Sequence, residues 1–109
     1  MKSLPEYRIR FDQIPSKAAP VDLERLGERS KLGGKPDWEQ ESETPFCPHC
    51  GEEMTFIAQI DSFNHDSETN PHRIDCLSDE PRYMFGDVGK IYIFFCFECC
   101  EPKAVFQCG

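Results

Sequence analysis

Apolar and polar residues alternate with a period of two at two places in this chain and run together at a third, and nowhere do they keep helical spacing for long. Tyr7-Arg8-Ile9-Arg10-Phe11 alternates apolar with basic side chains, which predicts an edge or surface strand with Tyr7, Ile9 and Phe11 turned inward. Met54 to Ile60 predicts a second strand, with Phe56, Ala58 and Ile60 on one face and Thr55, Ile57 and Gln59 on the other. Lys90 to Phe97 is apolar on both faces, as in a central strand covered on both sides. Glu101-Pro102 then turns the chain, and Ala104 to Gln107 returns as the hairpin partner. The one helix candidate, Val21 to Leu26, is opened by Pro20, stopped at Gly27, and brief.

The intervening stretches read as loop. Pro15 to Pro20 is one, and Lys31 to Pro45 is a long polar connector with a tight turn at Gly33-Gly34 and the only tryptophan, Trp38. Ser62 to Gly89 is polar and turn-rich, with Asn70-Pro71, Glu80-Pro81 and Gly86-Asp87, which marks an insertion or binding loop. The implied fold is mainly β: an antiparallel sheet with little helix, in a single domain over residues 1–109.

Cysteine spacing adds the chemistry. Cys47-Pro48-His49-Cys50-Gly51 and Cys96-Phe97-Glu98-Cys99 are two Cys-x-x-Cys turns. Each aims two thiolates at one point, and together they complete a tetrahedral sulfur set of the zinc-ribbon kind, suited to one structural Zn²⁺ per chain. Pro48 fixes a backbone angle, while Gly51 permits the left-handed conformation that turns amides toward the sulfurs. Four thiolates close the shell and leave no position for water, so the site reads as structural rather than catalytic. Forty-five residues separate Cys50 from Cys96, so the metal clasps remote segments of a sheet rather than a local turn. Cys100 directly follows Cys99 and leaves the fourth ligand open. Cys76 and Cys108 read as small core residues or free thiols, and His49 as an outward-pointing spacer. A domain of 109 residues is marginal by burial alone. Structural zinc contributes roughly 10–16 kcal/mol to folding in small peptides.

Composition narrows the function. Seven cysteines are an odd number, no secretory pattern opens the chain, and the longest apolar run, Ile91 to Phe97, is too short to span a bilayer. A reduced, cytoplasmic protein is expected. The net charge of −8 divides into +3 over residues 1–36 and −11 over residues 37–109. Such a surface repels phosphate backbones and attracts basic protein surfaces.

Catalytic readings find less support. His65, Asp66, His72 and Asp75 share one loop at spacings that match no ligand template, and Cys76 has no partner base nearby in sequence. Gly33-Gly34 lacks the preceding strand and following Lys-Ser/Thr of a phosphate cradle.

Three segments taken in order carry a resemblance. They are Lys31-Leu32-Gly33-Gly34-Lys35-Pro36-Asp37-Trp38, then Pro45-Phe46-Cys47-Pro48-His49-Cys50-Gly51 with Met54-Thr55-Phe56-Ile57-Ala58-Gln59-Ile60, and finally Gly89-Lys90-Ile91-Tyr92-Ile93-Phe94-Phe95-Cys96. This set resembles the YwqG-like family of bacterial proteins and the amino-terminal domain of programmed cell death protein two. It covers about residues 30–109 and leaves 1–29 as an extension. The resemblance implies antiparallel strands with little helix, and partner binding rather than catalysis. The eukaryotic relatives are linked to chaperoning a ribosomal protein, and some bacterial members are suspected immunity proteins that neutralise a toxin. This chain is shorter than YwqG-like members, which commonly contain a longer or duplicated β unit. Its Cys96/Cys99/Cys100 cluster also departs from simpler versions. Its shortness favours a homodimer that completes the sheet, since edge strands are otherwise open.

The reading that joins these observations is a non-enzymatic, zinc-stabilised protein-interaction domain with an acidic surface, no membrane association and a protein partner, basic in character. Two alternatives stay open. One is a thiol or metal-dependent enzyme using loop residues 65–76; the other is a zinc-ribbon nucleic-acid binder using the basic stretch from Arg8 to Lys35.

Overall fold

The computed structural model describes residues 3–4, 6–15, 28–62, 83, 85–86 and 88–108. Four strands form one antiparallel sheet: β1 (Lys31–Leu32), β2 (Thr55–Asp61), β3 (Lys90–Cys96) and β4 (Glu101–Gln107), in spatial order β1-β2-β3-β4. No helix occurs among the described residues, in line with the mainly β expectation. The helix candidate at 21–26 lies outside them.

Strand β3, Lys-Ile-Tyr-Ile-Phe-Phe-Cys, is rich in β-branched and aromatic residues and sits between two neighbours. One of its faces (Lys90, Tyr92, Phe94, Cys96) is buried, and the other (Ile91, Ile93, Phe95) is half-buried. Strand β4 begins at Glu101, earlier than the predicted Ala104, and includes Pro102. Proline is tolerated there because β4 is an edge strand among the described residues, where a missing N–H can face outward.

Three expectations need correction. The first concerns β2, which does not alternate through its length. Phe56 pairs with Phe94 but Ala58 pairs with Ile93, so Ile57 is an extra residue in a β-bulge. A bulge reverses parity. Phe56 shares the face of Phe94, but beyond the bulge Gln59 and Asp61 take that face, opposite Tyr92 and Lys90. The face predicted for Phe56, Ala58 and Ile60 therefore splits in two.

The second concerns Tyr7 to Phe11. This segment joins no strand ladder among the described residues, and Tyr7, Ile9 and Phe11 are 52%, 77% and 79% exposed instead of turned inward. Alternation predicts a strand only if a sheet edge receives it, and no described strand of this chain pairs with it. The third is the connector 31–45. Lys31–Leu32 pairs with Gln59 and Ala58 as β1, and Gly33 and Gly34 follow in the left-handed region, with Gly33 N–H donating to Ile57 O at 2.6 Å. Polar composition concealed a two-residue edge strand.

The rest of the connector lies against the buried face. Trp38 packs on Tyr92 and Phe94 at centroid distances of 4.6 and 5.9 Å, and Phe56 meets Phe94 edge-on at 5.6 Å. Met54, Cys47 and Cys96 extend this core toward one end of the sheet.

Because the connector is irregular, its backbone polar groups must find partners elsewhere. Polar side chains of the sheet supply them. Gln59 Oε1 accepts from Asp37 N–H at 2.9 Å, and its Nε2 donates to Arg29 O at 2.7 Å. Gln107 Oε1 accepts from Glu39 N–H and Gln40 N–H, and its Nε2 donates to Glu41 O. The Tyr92 hydroxyl donates to Asp37 O at 2.8 Å and accepts from Glu39 N–H at 3.1 Å.

Four buried charges complete the arrangement. Arg29 donates through Nε and NH2 to the two carboxylate oxygens of Asp61, at 3.0 and 2.7 Å, and through NH1 to Glu39. Lys90 Nζ donates to Asp37 O at 2.6 Å and lies 3.5 Å from the Glu39 carboxylate. Burial alone would depress the Arg29 guanidinium, but Asp61 and Glu39 together outweigh it and its pKa is raised. For Lys90 burial prevails over Glu39 and the pKa is lowered. No buried side-chain nitrogen or oxygen among the described residues lacks a partner.

Of the insertion between β2 and β3, residues 63–82, 84 and 87 lie outside the described set. Its two ends meet where Asp61 pairs with Lys90. There the Ser62 hydroxyl donates to Gly89 O at 2.6 Å and accepts from Phe85 N–H at 3.0 Å. A Cβ on Gly89 would stand 2.5 Å from Phe85 O and 2.7 Å from Gln107 O, so only glycine fits this junction.

Candidate metal centre

Antiparallel pairing of β2 and β3 decides where the cysteines go. The start of β2 and the end of β3 lie at the same end of the sheet, opposite the insertion. Cys47 and Cys50 precede β2, Cys96 ends β3, and Cys99 lies in the turn to β4. The sheet thus brings together pairs that are remote in sequence.

The two turns share one backbone plan. Cys47 N–H donates to Glu52 O at 2.8 Å, and Gly51 N–H returns to Cys47 O at 2.9 Å. Phe46 bridges Glu53, and Met54 N–H donates to Pro45 O, which continues the local ladder. In the second turn Cys96 pairs with Glu101, as Cys47 does with Glu52. Gly51 has φ 76° and Cys100, at the matching position, has φ 54°. The Cys-Cys doublet therefore places a cysteine where the first turn has glycine. Aligning the two turns would have exposed this, but spacing alone did not.

The sulfurs of Cys47, Cys50, Cys96 and Cys99 all lie within 4.8 Å of one another, and those of Cys50 and Cys96 are 3.7 Å apart. Bonds of about 2.3 Å to a tetrahedral ion put sulfur atoms about 3.8 Å apart. A disulfide requires about 2.05 Å, and every cysteine among the described residues is free. The group can therefore hold a metal ion. Cys100 is outside the cluster and exposed, Cys108 is half-buried and also outside it, and Cys99 supplies the fourth sulfur.

Cys47 and Cys96 are buried, Cys99 is half-buried, and Cys50 faces solvent. The N–H groups of Cys50 and His49 point at the Cys47 sulfur, the latter at 3.4 Å. The Cys50 amide contributes most, against burial, and lowers the Cys47 thiol to about 7. Burial, reinforced by the sulfurs of Cys50 and Cys47, pushes Cys99 up to about 12. For Cys50 the Glu52 N–H favours the thiolate, but burial and the sulfurs of Cys96 and Cys47 outweigh it, and its pKa is raised. Cys50 and Cys99 thus resist ionisation beside Cys47 unless a cation sits among the sulfurs.

His49 points outward, as the spacing implied, and its Nε2 lies 3.3 Å from the Glu101 carboxylate, linking the two turns. Phe46 and Phe97, one in each segment, are largely exposed. Residues 46–53 and 96–101 contain four glutamates and no lysine or arginine. His65, Asp66, His72, Asp75 and Cys76, the residues of the enzyme alternative, lie outside the described set. No family profile, curated protein or solved structure matches the chain. No helix among the described residues is long and apolar enough to cross a membrane.

Proposed function

We propose that this chain is a zinc-stabilised protein-interaction domain without catalytic activity, holding one structural Zn²⁺ through Cys47, Cys50, Cys96 and Cys99 and offering an acidic surface to a basic protein. The observation that carries the metal reading is the convergence of four free sulfurs from two remote turns, at a separation suited to a tetrahedral ion. Zinc is favoured over other divalent ions because four thiolates form a soft, closed shell that imposes tetrahedral geometry. The ion ties the β2 and β3–β4 ends of a sheet whose connector is otherwise held by Trp38 and by polar contacts. An interaction role is supported by charge. Residues 37–109 carry −11, and a tetrathiolate zinc centre adds further negative charge where Glu52, Glu53 and Glu98 are exposed. The resemblance to YwqG-like proteins and to the domain of programmed cell death protein two agrees with partner binding.

Elemental analysis of the full chain, purified under reducing conditions, tests the metal. One zinc per chain is expected, with loss of the β-sheet circular dichroism signal on adding a strong chelator and recovery on returning zinc. Cys99→Ser should lose the metal and Cys100→Ser should keep it. A folded chain without metal, or equal retention by both variants, would overturn the assignment. Affinity capture from lysate at low and high salt tests the partner: retention of a basic protein that salt releases supports the reading, and no salt-sensitive partner refutes it.

A further inference from the structure

We propose that the amino-terminal segment Tyr7–Phe11 of one copy adds as a fifth strand to the outer edge of β4 in a second copy, and that two copies exchange these segments reciprocally. This inference does not depend on the metal reading.

The segment has the pattern of a strand with one apolar and one basic face, yet it joins no ladder among the described residues of its own chain. Ile9 and Phe11 face solvent, and its start is fixed, since Tyr7 packs edge-on against Tyr83 at 5.9 Å. The edge of β4 is its complement. The register sets Pro102 opposite Phe95, and proline has no N–H to exchange, so the even-numbered residues of β4 fall at the non-bonded pairs and the odd-numbered ones at the pairs bonded to β3. Pro102, Ala104 and Phe106 then direct their main-chain groups outward, and the proline loses no ladder bond. Ala104 and Phe106 offer both N–H and C=O to an added strand.

Both faces match as well. On one, Ala104 and Phe106 adjoin Ile91 and Ile93, a half-exposed apolar surface that Ile9 and Phe11 would extend. On the other, Gln107 holds Glu41 O and the Glu43 carboxylate. Beside it Glu41 and Glu43 are exposed acids that suit Arg8 and Arg10, whereas Asp37 and Glu39 are already held by Lys31 and by Arg29 and Lys90, and Lys103 is the one cation of β4 on this face. Each copy bears both strand and edge, so reciprocal exchange closes with two-fold symmetry and covers the β4 edge of both copies. This is why a second copy, rather than an unrelated protein, is the occupant.

Sedimentation equilibrium of the full-length chain over a concentration series tests the proposal. A dimer is expected. Arg8→Glu/Arg10→Glu should weaken it by roughly tenfold or more, with the wild-type constant rising with salt. Ile9→Asp/Phe11→Asp should give a monomer. Ala104→Pro, which removes an outward N–H without breaking a bond to β3 and fixes φ as Pro102 already does in this strand, should also give a monomer while retaining the wild-type circular dichroism spectrum. If that variant misfolds, the segment variants decide alone, because they alter no described core residue. A monomeric wild type overturns the proposal, and so does a dimer whose constant is unchanged in the segment variants.

Discussion

Consider removing the Arg29–Asp61 pair, one partner at a time and then both. Arg29→Met leaves the Asp61 carboxylate, fully buried beside β3, with Lys90 as its neighbouring cation among the described residues. Asp61→Leu leaves a buried guanidinium shared only with Glu39, while Lys90 needs that same carboxylate. Either single change strands a charge, which costs about 3–5 kcal/mol in buried pairs. The double variant leaves Lys90 and Glu39, a neutral pair that keeps its contact, so the charge penalty should largely vanish. It does not return to wild type. The Arg29 N–H, which donates to Asp61 at 3.2 Å, loses its acceptor, at a cost of about 1–3 kcal/mol. A coupling energy of at least about 2 kcal/mol is therefore expected from the cycle. Urea denaturation of metal-saturated protein, followed by circular dichroism, gives the four stabilities. Single-variant costs that add to within about 0.5 kcal/mol would refute the reasoning, because independent sites behave that way.

Two further outcomes follow from the backbone and from burial. Cys100 holds φ 54°, so Cys100→Gly should gain roughly 0.5–1 kcal/mol after the entropy of a freer unfolded chain is charged against it, with metal content unchanged. Gly51→Ala, whose Cβ meets nothing within 4 Å, should cost about 1–2 kcal/mol from conformation alone; thermal melts of the two variants should shift in opposite directions. Burial chiefly holds Tyr92 protonated up to about 12, against an ordinary 10.0. The folded chain thus binds this proton more tightly than the unfolded one, so the contribution is intact below pH 10 and lost as pH rises from there to about 12. Over that window it amounts to roughly 2–3 kcal/mol. Tyrosinate absorbance should show a late step at about pH 12 that Tyr92→Phe abolishes; the absence of that step from the wild type would count against the burial argument.

The sequence by itself determined the strands β2, β3 and β4 and three of the clustered cysteines, Cys47, Cys50 and Cys96; the structure decided for Cys99 over Cys100 as the fourth. These rest on local chemistry: period-two or continuous apolar runs, proline and glycine at the turns, and a two-residue spacer that lets paired thiols point to one place. It also implied that the metal group would join remote segments. Only the tertiary structure decided how. Antiparallel pairing of β2 with β3 sets both turns at one end of the sheet, and a bulge at Ile57 reverses the face of everything after it. Neither leaves a local signature, because register is a relation between strands. The structure also reveals Arg29, Glu39, Asp61 and Lys90 as a buried group, which a count of charges along the chain does not show. Their burial follows from Trp38 and the connector covering the sheet, which obliges the irregular backbone to take its hydrogen bonds from strand side chains. The segment Tyr7 to Phe11 shows the converse: a strand pattern records what a sequence can pair with, and only the arrangement of edges in space determines whether its own chain supplies the partner.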